Sequence, residues 1–136
     1  MRKKIFKKQY IAVLDGKIEQ RSSTICAPIA RKKDSIIERC VNFESGDIAV
    51  THYNVVRTSD KFSLVEFLLE TGRTHQIRVH SAFIGHPIIG DTLYGTPSNL
   101  ISRQALHAQS VCFIHPITHK NLNFCSDIPQ DMRIFF

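Results

Sequence analysis

A chain of 136 residues with 43% apolar and 22% charged residues holds enough apolar side chains for one ordinary hydrophobic core, and it carries a net charge of +6. These figures exclude a two-domain enzyme with a long linker and an intrinsically disordered chain. The longest apolar run, Tyr10 to Leu14, is five residues, against the ~20 a spanning helix needs; no membrane segment is expected. The basic start lacks the apolar stretch of a secretory signal, so the product is expected in the cytoplasm.

In chain order, the first feature is charge. Residues 1–40 hold 11 Lys and Arg against 4 Asp and Glu, while residues 41–136 hold 7 against 8. The basic character, with a pI near 9.4, therefore belongs to the N-terminal segment, including Lys7, Lys8, Arg31, Lys32 and Lys33. Clustered cations of this kind are the footprint of a phosphate-backbone binder, although a solubilising tail has the same composition.

Gln9 to Leu14 followed by Asp15-Gly16 reads as a buried strand ending in a tight turn, with a partner strand expected over Lys17 to Ser22. Ile48 to Val56 and Phe62 to Leu69 are β-rich and read as strands, bounded by turns at Gly46-Asp47 and Thr58 to Lys61. At Thr74 the apolar period changes. Ile77, Ser81 and Ile84 fall on one face, Thr74 stands where a cap belongs and Gly85 where a left-handed residue ends a helix, so a helix is predicted over Thr74 to Ile84. Val111 to Ile114 and Asn121 to Cys125 read as a hairpin joined by the turn His115 to Lys120. The sum is an α+β class: a mainly antiparallel or mixed β-sheet with a few helices, in a single domain over 1–136.

Cys26, Cys40, Cys112 and Cys125 include no C-x-x-C pair and read as free thiols. Cys112, His115, His119 and Cys125 have a spacing that zinc accepts, but the hairpin accounts for the same residues, and neither a metal nor a cofactor is expected.

The stretch that carries chemistry is Glu70 to Gly95. Arg73, His75, Gln76, Arg78 and His80 crowd a strand-to-helix junction and present several donors beside a helix N-terminus, whose amides and dipole also favour anions. An anionic ligand or a buried carboxylate is their expected partner, arginine being suited to grip either by two parallel bonds.

Thr71-Gly72-Arg73-Thr74-His75-Gln76-Ile77-Arg78-Val79-His80, then Gly85-His86-Pro87-Ile88-Ile89-Gly90-Asp91, resembles a signature of the RluA/RluD-type RNA pseudouridine synthases. Gln9-Tyr10-Ile11-Ala12 with Gly16 resembles that family's K-x-Y-x-A strand, with the lysine displaced to Lys8. Leu106-His107-Ala108, Phe113-Ile114-His115-Pro116 and Asp127-Ile128-Pro129 resemble its C-terminal hairpin and tail. The resemblance runs from about Lys7 to about Asp131 and implies conversion of uridine to pseudouridine in structured RNA, ribosomal or transfer RNA, with no cofactor.

By that resemblance Arg78 would pair with a catalytic aspartate, Tyr10 would stack on the target base, and Leu106 would form the apolar wall. Arg73, His75, Gln76 and His80, with Lys7, Lys8, Arg31, Lys32 and Lys33, would hold RNA. The family's His-Arg-Leu-Asp motif is absent from this sequence, and none of Asp15, Asp34, Asp47, Asp60, Asp91, Asp127 and Asp131 follows His-Arg-Leu. The expectation is therefore the C-terminal portion of a synthase catalytic domain, inactive alone, or a non-catalytic RNA-binding remnant. Its exposed sheet edge is expected to drive self-association, by edge pairing or exchange of the strand around Tyr10.

Overall fold

The structure, a computed structural model, describes residues 6–136, and for Phe6, Lys7 and residues 111–114 the backbone alone. Its frame is a six-stranded antiparallel sheet of β1 (Phe6–Asp15), β2 (Ser22–Cys26), β5 (Val50–Thr58), β6 (Phe62–Leu69), β7 (Leu106–Ile114) and β8 (Asn121–Cys125), in the spatial order β2-β5-β6-β1-β7-β8. A separate two-stranded hairpin, β3 (Ile29–Arg31) with β4 (Arg39–Val41), stands between β2 and β5 in sequence. The single α-helix among the described residues, α1 (Gln76–Phe83), lies beside β5, and a 3-10 helix over Gln130–Phe135 closes the chain. This is the α+β architecture expected from the sequence.

β1 lies inside the sheet, paired with β6 on one side and β7 on the other. The reason is visible in its sequence: Ile11, Ala12, Val13 and Leu14 are all buried, and a run apolar on both faces belongs in the middle of a sheet. The partner strand expected over Lys17 to Ser22 does not form. Past Gly16, whose φ is +83°, the chain is pinned to the start of β6: Gly16 N–H donates to the Lys61 carbonyl at 2.8 Å and Ile18 N–H to Ser63 Oγ at 3.0 Å. The next strand begins only at Ser22 and pairs with β5. The free edges of the sheet are therefore β2 and β8, and the strand bearing Tyr10 is not one of them.

α1 starts later than the sequence suggests. His75 is its N-cap, with φ +58° and no side-chain cap bond, and Thr74 is exposed outside it. The C-terminus is as expected: Gly85, φ +87°, donates its N–H to the Ala82 carbonyl, and His86 donates to the Ser81 carbonyl, the paired bonds of a Schellman ending. Ile77 joins the main core, while Val79 packs with Ile29 and Ala49 in a second cluster under the β3-β4 hairpin.

The C-terminal turn covers part of the sheet. Met132 and Phe135 are buried, Phe135 meets Phe62 edge-on at 5.2 Å, and burial of two such side chains contributes about 1.5–3 kcal/mol each. Arg103 holds this turn by a fork to Asp131 at 2.9 and 3.0 Å.

The β7-β8 hairpin forms as expected. Among the described residues no group of three or more His, Cys, Asp or Glu is assembled to hold a metal, and the Cys112 side chain lies outside the described residues. No described helix is long and apolar enough to cross a membrane.

Candidate active site

A cleft of about 600 Å³ opens where the ends of β1 and β6, the loop before α1, and the start of β7 converge. Its lining brings together Lys8 and Tyr10 from β1, Glu70 after β6, Arg73, His75 and Arg78 from the loop and helix, and Gln104 and Leu106 at β7. Tyr10, Arg78 and Leu106, far apart in sequence, thus face one space. Two features of the sheet aim Tyr10: regular pairing with Phe67 on β6, and a register shift against β7 between Gln9 and Tyr10.

The loop that begins the cleft is built from Gln76. Its side-chain carbonyl accepts the Thr71 hydroxyl at 2.8 Å and the Arg73 N–H at 2.9 Å, and its amide donates to the Val50 carbonyl and to Thr51 Oγ1. All four hydrogen-bonding positions of this amide are used inside the protein. His80 continues the chain of bonds. Its Nε2–H donates to the Ala27 carbonyl at 2.8 Å, so Nδ1 must accept, and the Thr51 hydroxyl supplies that proton at 2.8 Å. Burial holds the His80 pKa below its ordinary value, the Ala27 bond opposing, which keeps the ring neutral.

Gln76, which also lines the cleft, and His80, which does not, were both expected to hold RNA, and the structure gives both of them internal partners. Both are buried, and their polar atoms are spent tying α1 to β5 and to the strand end at Ala27. An orphaned buried polar group is so costly that the fold itself recruits such residues.

Arg78 has the buried carboxylate partner that its chemistry called for. Asp91, fully enclosed, accepts Nε–H at 2.9 Å and Nη2–H at 2.8 Å, and Oδ1 also accepts the backbone N–H of Leu93 and of Tyr94. Burial pushes the Asp91 carboxyl up, but the Arg78 bonds and the Tyr94 and Leu93 amides outweigh it and hold it below the usual carboxylate range. The same hydrogen bond holds Arg78 above its ordinary value against the opposing effect of burial. The expected pairing of Arg78 with a catalytic aspartate concerns a residue outside this sequence, and Asp91 is the carboxylate that Arg78 grips within it. One edge of the guanidinium is occupied by Asp91, leaving Nη1 as its nitrogen without a protein partner among the described residues.

Tyr94, which sequence reasoning missed, completes the wall behind the cleft. The Arg78 guanidinium lies 5.2 Å from its ring centroid, within cation–π range, and His75 meets the same ring edge-on at 5.5 Å. Glu70, also missed, is the carboxylate in the cleft lining and is bonded to His52 Nε2, whose Nδ1 pairs with the Thr24 hydroxyl at 2.8 Å. The available signal for Tyr94 was Asp91, an acid placed to accept amides two and three residues on.

The basic residues divide. Lys8 lines the cleft, and the Lys7 side chain lies outside the described residues. Arg31 and Arg39, on the β3-β4 hairpin, line a polar notch of about 410 Å³ that shares Gly72 and Arg73 with the cleft. Lys32 is paired with Glu38 at 3.1 Å, and Lys33 is exposed at the same hairpin. Arg73 donates Nε–H to the Ile48 carbonyl at 2.7 Å, which orients its guanidinium at the mouth.

Known proteins are similar to this chain in sequence and in fold. The model of the family described as RNA pseudouridylate synthase matches residues 1–83. The chain is 50% identical over 128 residues to the RNA pseudouridine synthase YjbO of Bacillus subtilis, covering 94% of this chain and 45% of that protein. It is 39% identical over 139 residues to ribosomal large subunit pseudouridine synthase D of Zymomonas mobilis, covering 95% of this chain and 44% of that one. Among solved structures, human RNA pseudouridylate synthase domain containing 1 superposes with a TM-score of 0.79 at 29% identity, over 90% of this chain and 54% of that one. The chain belongs to the RNA pseudouridylate synthase family. It spans less than half the length of the two bacterial relatives.

Proposed function

We propose that this chain forms one wall of a pseudouridine synthase active site and binds structured RNA, ribosomal or transfer RNA, in the cytoplasm. The observation that carries the reading is the convergence of Tyr10, Arg78 and Leu106 on one cleft with Lys8 and Arg73 at its rim. In the reaction the N1–C1′ bond of a uridine breaks, a C5–C1′ bond forms, C5 gives up its proton and N1 gains one.

Within that scheme Tyr10 offers a ring to the displaced base and Leu106 an apolar surface that excludes water. The free edge of Arg78 stabilises negative charge in the desolvated site, held in place by Asp91. Lys8, Arg73 and the Arg31-Arg39 notch take phosphates, and a base pulled from its stack is reached most cheaply in weakly paired RNA. Asp91 is enclosed and already bonded, which argues against a role as nucleophile. An aspartate outside the present sequence is required for turnover.

The test is tritium release from RNA transcribed with uridine labelled at C5. The 136-residue chain is expected to bind the transcript and release no tritium. A fusion that adds the His-Arg-Leu-Asp segment implied by the family resemblance is expected to release it, and Arg78→Ala in that fusion to stop it. A folded fusion that stays silent would overturn the reading.

Self-association is proposed through the β8 edge, where Asn121, Asn123, Phe124 and Cys125 are exposed. Sedimentation is expected to show association rising with concentration and abolished by Asn123→Pro. A monomer at all concentrations would refute it.

A further inference from the structure

We propose that Tyr94 is a positioning residue: its hydroxyl fixes His75 as an Nε2–H donor for an acceptor oxygen of the bound nucleotide, and ties that donor to the β3-β4 hairpin. The inference deepens, and rests on, the reading of the cleft as a nucleotide site.

A phenol has one hydrogen to give. The Arg39 backbone N–H donates to Tyr94 Oη at 2.8 Å, so the Tyr94 hydrogen is available for its other close partner, His75 Nδ1, at 2.7 Å. With the hydroxyl donating there, that nitrogen is the bare one and the ring proton resides on Nε2. Burial first, then the nearby Arg78 and Arg39 charges, lower the His75 pKa, with Asp91 opposing, so the ring is neutral near pH 7. Burial likewise keeps the Tyr94 phenol protonated, its bond from Arg39 and the Arg78 charge opposing.

The relay is rigid at both ends. Tyr94 is placed by the bonds from its own N–H and that of Leu93 to Asp91, and His75 by a left-handed backbone at the helix start. Arg39 belongs to β4, in register with Arg31 across the hairpin. One hydroxyl thus joins the cationic hairpin to a ring that lines the cleft. A ligand pulling on Arg31 or Arg39 would move the donor at the base-binding end.

Long-range proton–nitrogen NMR of the full chain reads the tautomer directly. The Nε2–H form of His75 is expected in the wild type. In Tyr94→Phe, which keeps the ring contacts with His75 and Arg78, a tautomer mixture is expected, with roughly tenfold faster exchange of the Arg39 amide. Affinity for a uridine-containing RNA oligonucleotide is expected to fall severalfold, with the melting temperature tracked as a fold control. An Nδ1–H tautomer in the wild type overturns the proposal without any variant being made. A Tyr94→Phe variant with unchanged tautomer, exchange and affinity overturns it too. If the wild type has the Nε2–H form and the variant shifts it, yet neither binds RNA, the nucleotide-site reading fails and the relay itself stands.

Discussion

Asp91 grips Arg78 by two bonds while remaining completely enclosed, whereas the Arg78 side chain keeps 16% of its surface open to solvent. The two partners are therefore unequal. Removing Asp91 leaves a cation that can reach water, but removing Arg78 leaves a carboxylate that cannot. Breaking a buried pair costs about 3–5 kcal/mol. Urea denaturation at pH 7 is expected to show Arg78→Ala more destabilised than Asp91→Ala, both well below wild type; the reverse order would contradict the asymmetry.

His80 makes stability depend on pH. Its folded pKa is depressed, so the unfolded chain, with a histidine pKa of about 6.5, binds the proton more readily. The stability tied to neutral His80 is full above about pH 6.5 and falls as the pH drops from there toward the folded pKa. His75 acts in the same direction. Urea midpoints are expected to decline between about pH 7 and 5, and His80→Gln, less stable at pH 7, is expected to show a shallower decline. An equally steep decline in the variant would remove His80 as the cause.

Two glycines with similar backbones separate strain from crowding. Gly85 and Gly90 have φ of +87° and +81°. A Cβ on Gly85 would meet nothing within 4 Å, but one on Gly90 would lie 2.2 Å from the Arg103 carbonyl oxygen. Gly85→Ala is expected to cost about 1–2 kcal/mol, the left-handed penalty alone. Gly90→Ala is expected to add roughly 1–3 kcal/mol of overpacking, because Arg103 cannot retreat without loosening its fork to Asp131. Thermal melts of the two variants decide it, and equal shifts would mean that the Gly90 loop yields freely.

Binding to RNA is expected to weaken steeply with salt. Arg73→Ala and Arg31→Ala should each lower the slope of log K against log salt by about 0.7–1, the change expected when one cation no longer neutralises a phosphate. Filter binding of a structured transcript across a salt series measures this. Slopes identical to wild type would take both arginines off the RNA path.

How much of this was legible in the sequence depended on range. β6 was read to the residue because Phe62 to Leu69 alternates before turning fully apolar, and the end of α1 because Gly85 marks it locally. The strand expected over Lys17 to Ser22 failed because a tight turn looks the same whether the next segment folds back on its own strand or is captured by Lys61 and Ser63. The internal bonds of Gln76 and His80 were hidden for a similar reason. Their partners Thr51 and Ala27 lie 25 and 53 residues away, and nothing local distinguishes a donor spent inside from one offered to a ligand. The meeting of Tyr10, Arg78 and Leu106 came from the family resemblance and not from any period in the chain.

The register shift beside Tyr10 also bends β7. Ser110 faces Gln9 and Ala108 faces Tyr10, so Gln109 is the extra residue, skipped between two consecutive β1 partners. Side-chain parity reverses on passing it. Both the hairpin beyond and the segment that carries Leu106 into the cleft take their phase from β1, on either side of that residue. Deleting Gln109 would leave the same residues of β7 opposite β1 and remove only the local kink and added twist, so the bulge sets the angle at which β7 delivers Leu106 to the cleft.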